Sequence, residues 1–258
     1  MHQGCVYQLY VESMAEESKL SPLSSLLTMN VGVMGHVDSG KTSLVRALST
    51  VLSTAALDKS PQSKERGITL DLGFSALMTA LPSRLSAADH SFESLQMTFV
   101  DCPGHATLIR TIIAGAAIID VVLLVIDVCK GIQTQTAECI VIAEISCRKL
   151  VVALNKIDLL PEDERENKLI KMKLRIEKLF SQTKFGGKVS IVAVAAAKAQ
   201  LSGASEGVSA LVDALRECAE LPSLPSSPEP FCFAIDHFFA IKGGRLLHFK
   251  KVLHKLLF

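Results

Sequence analysis

Residues 35–42 of this 258-residue chain have the composition of a phosphate-binding loop. They read Gly-His-Val-Asp-Ser-Gly-Lys-Thr, which fits the pattern G-x-x-x-x-G-K-[ST]. Gly35 and Gly40 permit backbone conformations in which successive N–H groups turn inward around phosphate oxygens. Lys41 would reach the β and γ phosphates, and the Thr42 hydroxyl would bind Mg²⁺. The other phosphate-contacting candidates in and after this stretch are Asp38, Ser39 and Ser43.

A second set of candidates follows an apolar stretch that ends at Val100. A carboxylate at the end of a strand can face the phosphate loop, so we expect Asp101 to hold Mg²⁺ through water. Gly104 has no Cβ and can place its N–H against the γ-phosphate. His105 follows directly, and a neutral imidazole there can orient the attacking water. A lone histidine is more often structural, but its position after Asp-Cys-Pro-Gly favours a catalytic role for His105, alongside Lys41.

Residues 155–158 read Asn-Lys-Ile-Asp and predict how the base is selected. Asp158 can accept hydrogen bonds from both N1–H and the 2-amino group of guanine. Adenine offers neither donor, and an unmet buried hydrogen bond costs about 1–3 kcal/mol, or more for a charge. We expect Asn155 to tie this loop to the phosphate loop and the Lys156 stem to lie along the purine face. The predicted ligands are therefore GTP and GDP rather than ATP.

A final nucleotide candidate is the stretch Ala-Ala-Ala-Lys at residues 195–198. A backbone N–H there could contact guanine O6, and we assign it to Ala196, with Lys198 as a further nucleotide-binding residue. A serine often opens this motif and is absent here, so the assignment is ambiguous by one residue.

These candidates must be carried by alternating strands and helices. Apolar runs predict strands at Met29–Met34, Leu70–Leu77, Gln96–Val100, Val121–Val128, Leu150–Leu154 and Val189–Val194. Helices are predicted from the phosphate loop through Val51, at Ala106–Ala117, at Thr136–Ile145, around Leu169–Leu179 and at Val208–Glu220. Such alternation predicts an α/β fold of the P-loop NTPase type, with a mostly parallel sheet and helices on both faces.

Composition excludes several other classes of protein. The formal net charge of +1 provides no overall basic field for sequence-independent nucleic-acid binding. The seven cysteines form no C-x-x-C pair, which argues against zinc and redox motifs and favours a reducing, cytoplasmic location. We see no signal peptide, and the most apolar stretch, 114–129, contains Asp120 and Asp127, which disfavours a membrane span. We expect a monomer.

The motifs together resemble those of translational GTPases of the elongation factor Tu type. The resemblance rests on Arg-Gly-Ile-Thr at 66–69, Asp-Cys-Pro-Gly-His at 101–105 and Gly-Ile-Gln-Thr-Gln-Thr at 131–136. Two further stretches, 67–74 and 106–113, are similar to the eukaryotic selenocysteine-specific branch of that family.

The resemblance implies a factor that carries selenocysteinyl-tRNA to the ribosome and hydrolyses GTP there. It also implies that Thr69 ligates Mg²⁺ in the GTP state and releases it after hydrolysis. From the residues alone, Thr69 is an ordinary strand residue. Val37 and Ile68 would flank His105 as an apolar gate.

The resemblance also divides the chain. We expect a flexible extension at 1–28, a GTPase domain at 29–220 and a linker at 221–230. An incomplete second β-barrel domain would begin at 231–243, with Phe231–Ile241 as a strand lacking its partners. Residues 244–258 form an unmatched basic tail, either a basic amphipathic helix or, as we favour, unrelated sequence with chance amphipathicity.

On this interpretation the chain is truncated after its GTPase domain, and tRNA binding by this chain is in doubt. Three functions stay open: a GTP-hydrolysing factor domain, slow without a ribosomal trigger; a nucleotide-binding module without delivery activity; and a fragment with no stable role. The presence of Lys41, Thr42, Asp101 and His105 favours the first.

Overall fold

The computed structural model describes residues 25–49, 51–52, 73–86, 91–102, 119–186, 189–196, 206–222, 238–240 and 247–249. Thr69, Gly104, His105 and Lys198 lie outside these residues, as do Ile68 and the predicted helix Ala106–Ala117.

A seven-stranded sheet forms the centre of the described fold. Its strands are β1 (Leu26–Met34), β2 (Val51–Leu52), β3 (Gly73–Ala80), β4 (Ser94–Asp101), β5 (Val121–Asp127), β6 (Lys149–Asn155) and β7 (Ser190–Ala193). The order is β2-β3-β4-β1-β5-β6-β7. In this spatial order, the neighbouring strands β4, β1, β5, β6 and β7 are parallel to one another. Strand β3 is antiparallel to β4, and β2 is antiparallel to β3. Every residue of β5 is buried, as expected for a central strand covered on both faces.

Helices cover both faces of this sheet. They are α1 (Lys41–Leu48), α2 (Ser83–Ser86), α3 (Thr134–Ser146), α4 (Glu162–Phe180) and α5 (Val208–Arg216), with a 3₁₀ turn at Ile157–Leu159. Leu44 of α1 and Leu211 of α5 pack on one face, and Ala143 of α3 and Phe180 of α4 pack on the other. The predicted α/β fold is therefore confirmed. Of the described helices, none has the length and apolar character needed to span a bilayer.

The first strand begins at Leu26 rather than at the predicted Met29. Pairing with β4 accounts for the difference, since the parallel register already matches Leu26 with Ser94. Leu27 is buried in the core. The predicted N-terminal boundary lies too late because the sequence does not show that β4 starts at Ser94 and pairs with β1 from there.

The first helix ends at Leu48, so the prediction that it continues through Val51 was wrong. Ser49 is extended, and its hydroxyl donates to the Val45 carbonyl at 2.5 Å and lies 2.7 Å from Ser75 Oγ on β3. A serine that satisfies a carbonyl of the last turn and bonds to a neighbouring strand offers the chain an exit from the helix. Val51 then enters β2.

The segment near the end of the chain also differs from expectation. Strand β8 (Phe238–Ala240) pairs antiparallel with strand β9 (Leu247–Phe249). The strand within Phe231–Ile241 was predicted to lack a partner, but its described part pairs with β9. This pairing satisfies main-chain groups that a lone strand would leave without hydrogen bonds. Residues 247–249 are extended, which excludes the helical alternative for that part of the tail.

Candidate nucleotide-binding site

The connection between β1 and α1 is a tight loop in which three residues adopt positive φ. The φ angles are 149° at Gly35, 62° at Asp38 and 88° at Gly40. A Cβ added at Gly35 would lie 2.3 Å from the carbonyl oxygen of Val125. One added at Gly40 would lie 2.3 Å from Asn155 Nδ2. Both positions therefore require glycine, as the phosphate-loop pattern predicts, while aspartate is among the few side chains that tolerate the left-handed region.

Lys41 folds back over the loop that precedes it. Its ammonium donates to the carbonyl oxygens of Gly35 at 3.1 Å and His36 at 2.9 Å. Burial lowers the pKa of Lys41, and the nearby Asp101 carboxylate opposes that effect. Phosphate oxygens bound in this loop would stabilise the buried cation further, so the geometry suits a phosphate contact.

Two oxygen ligands converge beside the loop. The Thr42 hydroxyl at the start of α1 donates to Asp101 Oδ2 at 2.7 Å. Asp101 ends β4, is fully buried, and pairs in register with Val33 of β1, which leads into the loop. A hydroxyl and a carboxylate are hard oxygen donors of the kind that Mg²⁺ prefers, so these residues fit the predicted metal.

Asn155 joins three loops at the carboxyl ends of the strands. Its Nδ2 donates to the Ser39 carbonyl at 3.0 Å, which is the predicted link to the phosphate loop. Its Oδ1 accepts the Ala196 N–H at 3.2 Å. The Ala196 N–H is thus directed at Asn155 in this structure, and its contact with guanine O6 stays a prediction. Of the two neighbours that the one-residue ambiguity allows, Ala195 donates its N–H to the Glu206 carbonyl at 3.1 Å, and Ala197 lies outside the described residues.

The base loop contains a buried hydrogen-bond acceptor, Asp158 Oδ1. Asp158 Oδ1 is buried and has no hydrogen-bond partner among the described residues. Two atoms of the phosphate loop, Ser39 Oγ and His36 Nδ1, are also buried and have no hydrogen-bond partner among the described residues. Buried polar atoms of this kind are costly unless something satisfies them. A nucleotide between the two loops could do so.

Sequence reasoning missed two further contacts to these loops. Asp127 Oδ2 accepts the Lys156 ammonium at 2.7 Å, and Gln135 Oε1 accepts the Val37 N–H at 3.2 Å. Val37 was considered only as part of an apolar gate. The polar residue that ends the apolar strand β5 was a usable signal for Asp127, and Gln135 lies within the 131–136 motif that carries the resemblance.

The parallel sheet, the glycine loop running into α1 and the Asn155-to-Asp158 loop define a P-loop protein built to bind guanine nucleotides. Residues 27–221 match the family model described as the elongation factor Tu GTP binding domain. The chain belongs to this family of GTP-binding domains.

Curated relatives indicate which branch the chain is similar to. It is 53% identical over 221 residues to the selenocysteine-specific elongation factor of Mus musculus, covering 84% of the chain and 37% of that protein. It is 34% identical over 216 residues to the Methanocaldococcus jannaschii factor of the same name, covering 83% and 41%. The chain thus spans about two fifths of the length of these relatives.

Two solved structures to which the chain is similar come from the same branch of the family. A bacterial selenocysteine-specific elongation factor superposes with a TM-score of 0.61 at 25% identity, covering 83% of this chain and 32% of that one. The factor SelB from Methanococcus maripaludis, in complex with the GTP analogue GppNHp, gives a TM-score of 0.57 at 26% identity, covering 85% and 40%.

Proposed function

We propose that this chain binds GTP with Mg²⁺ and hydrolyses it to GDP and phosphate as the GTPase domain of a selenocysteine-specific elongation factor. One observation carries the proposal: Asn155 Nδ2 donates to the Ser39 carbonyl at 3.0 Å and so ties the base loop to the phosphate loop, and Asp158 Oδ1 of that base loop is buried without a hydrogen-bond partner among the described residues. This arrangement suits a ligand with phosphates at one end and a guanine at the other.

Each motif contributes one part of the reaction. Lys41 and the backbone N–H groups of the loop hold the phosphates, and Thr42 with Asp101 would hold Mg²⁺. When bound, the metal neutralises charge on the β and γ phosphates. His105 orients the attacking water, and Thr69 is the ligand that responds to the γ-phosphate. Gly104 and Lys198 complete the proposed γ-phosphate and base contacts.

Intrinsic turnover is expected to be slow. We assign no arginine of the sequence to the role of a finger in cis, and such a residue is worth about 10³–10⁵ in rate. A trigger supplied by the ribosome, the partner that the resemblance to translational GTPases implies, would accelerate the step. Delivery of selenocysteinyl-tRNA is proposed for the whole factor, acting as a monomer in the cytoplasm.

Two measurements test the proposal. Calorimetric titration of the purified chain should show binding of GTP and GDP and rejection of ATP. Single-turnover hydrolysis should be slow alone and faster with ribosomes. Equal affinity for ATP and GTP would refute the guanine site. Tight GTP binding with no hydrolysis in either condition would instead indicate a nucleotide-binding module.

A further inference from the structure

Asp127 is a buried carboxylate at the edge of the nucleotide site that has no role in the function proposed above. It ends β5 and pairs in register with Asn155, the last residue of β6. Only 5% of its surface is exposed. A buried charge is retained only where it is well paired, so its partners indicate what it does.

The orientation of this carboxylate is set by the turn that follows it. Its Oδ1 accepts the N–H groups of Cys129 at 2.8 Å and Lys130 at 3.3 Å. The Asp127 carbonyl accepts the Gly131 N–H at 2.8 Å, which closes the turn. The other carboxylate oxygen, Oδ2, accepts the Lys156 ammonium at 2.7 Å.

Lys156 is held at both ends. Its backbone adopts φ of 67° at the start of the base loop. Its Cε lies 3.9 Å from the point where a Cβ on Gly40 would stand, so the stem runs past the phosphate loop. Burial raises the pKa of Asp127, but hydrogen bonds from Lys156 and from the Cys129 N–H outweigh it, and the pKa falls below its ordinary value. The partner of the ammonium is therefore ionised at neutral pH.

We propose that Asp127 is a positioning residue for guanine-nucleotide binding, which fixes the Lys156 stem in place before the purine arrives and does not itself touch the nucleotide. The inference rests on the proposed function. A free lysine side chain loses much rotamer freedom when it packs on a ligand. An ion pair already formed removes most of that loss from the binding step, so affinity rises through preorganisation.

A competing explanation is that Asp127 only caps the turn at residues 128–131. The two roles make different demands on Lys156. Capping needs the acceptor Oδ1 and is indifferent to the ammonium. Positioning acts through Lys156 and disappears when the ammonium is gone.

A double-mutant cycle on the full chain separates these roles, with GDP as the probe. Asp127→Asn keeps an oxygen for the turn and removes the charge, and Lys156→Met keeps the stem and removes the ammonium. We expect Asp127→Asn to raise the Kd for GDP about tenfold in the wild-type background, within the range for directly coupled residues, and less than about twofold in the Lys156→Met background. An equal loss in both backgrounds, or no loss in either, would overturn the proposal.

A matched control lies at the other end of the same strand. Asp120, directly before β5, also accepts a backbone N–H, from Asn30 at 2.9 Å, and lies outside the nucleotide site. Asp120→Asn should leave the Kd for GDP unchanged. The wild-type titration is read first. Failure of the wild type to bind GDP refutes the proposed function, whereas normal binding without coupling refutes only the role of Asp127.

A measurement on the wild-type chain covers the case in which Asp127→Asn does not fold. Nitrogen-15 NMR of the lysine Nζ groups, assigned with Lys156→Met, should show a slowly exchanging ammonium paired with a carboxylate both without nucleotide and with GDP. Loss of that pairing on GDP addition would show that the ion pair is not part of the bound state and would overturn the inference.

Discussion

The Thr42 hydroxyl and the Asp101 carboxylate meet at 2.7 Å, although 59 positions separate them in the chain. Thr42 is the second residue of α1, and Asp101 is the last residue of β4. Because β1 and β4 are adjacent and parallel, the loop after β1 and the last residue of β4 share one edge of the sheet. The sheet thus brings together the two residues that are proposed to hold Mg²⁺.

Asp101→Asn should weaken the response to Mg²⁺ selectively. The amide keeps an acceptor for Thr42 but loses the negative charge that favours a divalent cation. We expect the Mg²⁺ concentration needed for half-maximal GTP hydrolysis to rise about 10–100-fold, the usual cost of a lost carboxylate near a metal. GDP affinity measured in chelator should stay close to the wild-type value. If GDP affinity in chelator fell by the same factor as the response to Mg²⁺, Asp101 would be supporting the loop rather than the metal.

Asp158→Asn should change which base is accepted. Asp158 Oδ1, which has no partner among the described residues, can accept from the N1–H and 2-amino donors of guanine, and asparagine would present a donor instead. GDP affinity should drop by roughly 10–100-fold, the equivalent of one buried unmet hydrogen bond, while XDP affinity rises because its 2-oxo group accepts. Competition between the two nucleotides measures both effects. A parallel loss for GDP and XDP would point to a collapsed loop.

His105→Ala should separate binding from catalysis. His105 follows Asp101 by four positions in the sequence, where its proposed task is to orient water. Nucleotide affinity should be almost unchanged, and ribosome-triggered hydrolysis should fall on the order of 10²-fold or more. Lys41→Ala is the reference for lost binding. A variant that binds GTP as poorly as that reference would make His105 a binding residue.

Asn155→Ala should lower stability and nucleotide affinity together. The side chain bonds to the Ser39 carbonyl and to the Ala196 N–H, and its loss leaves both buried groups without this partner. The free energy of unfolding should fall by about 1–3 kcal/mol per group left unsatisfied. Urea unfolding and GDP titration of the same preparation test this. Wild-type stability in the variant would mean that water replaces the amide.

Asp127→Asn should make the free energy of unfolding less dependent on pH in the acid range. Because the folded-state pKa of Asp127 lies below its ordinary value of 3.8, its contribution is fully present above that value. It is lost as pH falls through the folded-state pKa. The difference in unfolding free energy between wild type and variant should therefore be constant near neutral pH and shrink below about pH 4. A difference that grows with acidity would contradict the sign of the shift.

Much of the site could be predicted because its motifs depend on local residue types. A strand, a glycine loop and a helix beginning at Lys41 are adjacent in the chain, so the phosphate-binding loop can be recognised from the sequence alone. The same holds for Asp158, whose carboxylate selects guanine by its own chemistry. Alternating apolar segments predicted the parallel sheet for a similar reason, since strand burial is visible as an uninterrupted apolar run.

Strand order and side-chain pairing were decided only by the tertiary structure. The sequence does not show that β1 lies between β4 and β5, and from that order follow the start of β1 at Leu26 and the meeting of Thr42 with Asp101. It does not show that Asn155 takes the Ala196 N–H, or that Asp127 holds Lys156. Each of these contacts joins residues at least 29 positions apart, and a partner at that distance is selected by the packing of whole elements rather than by local preference.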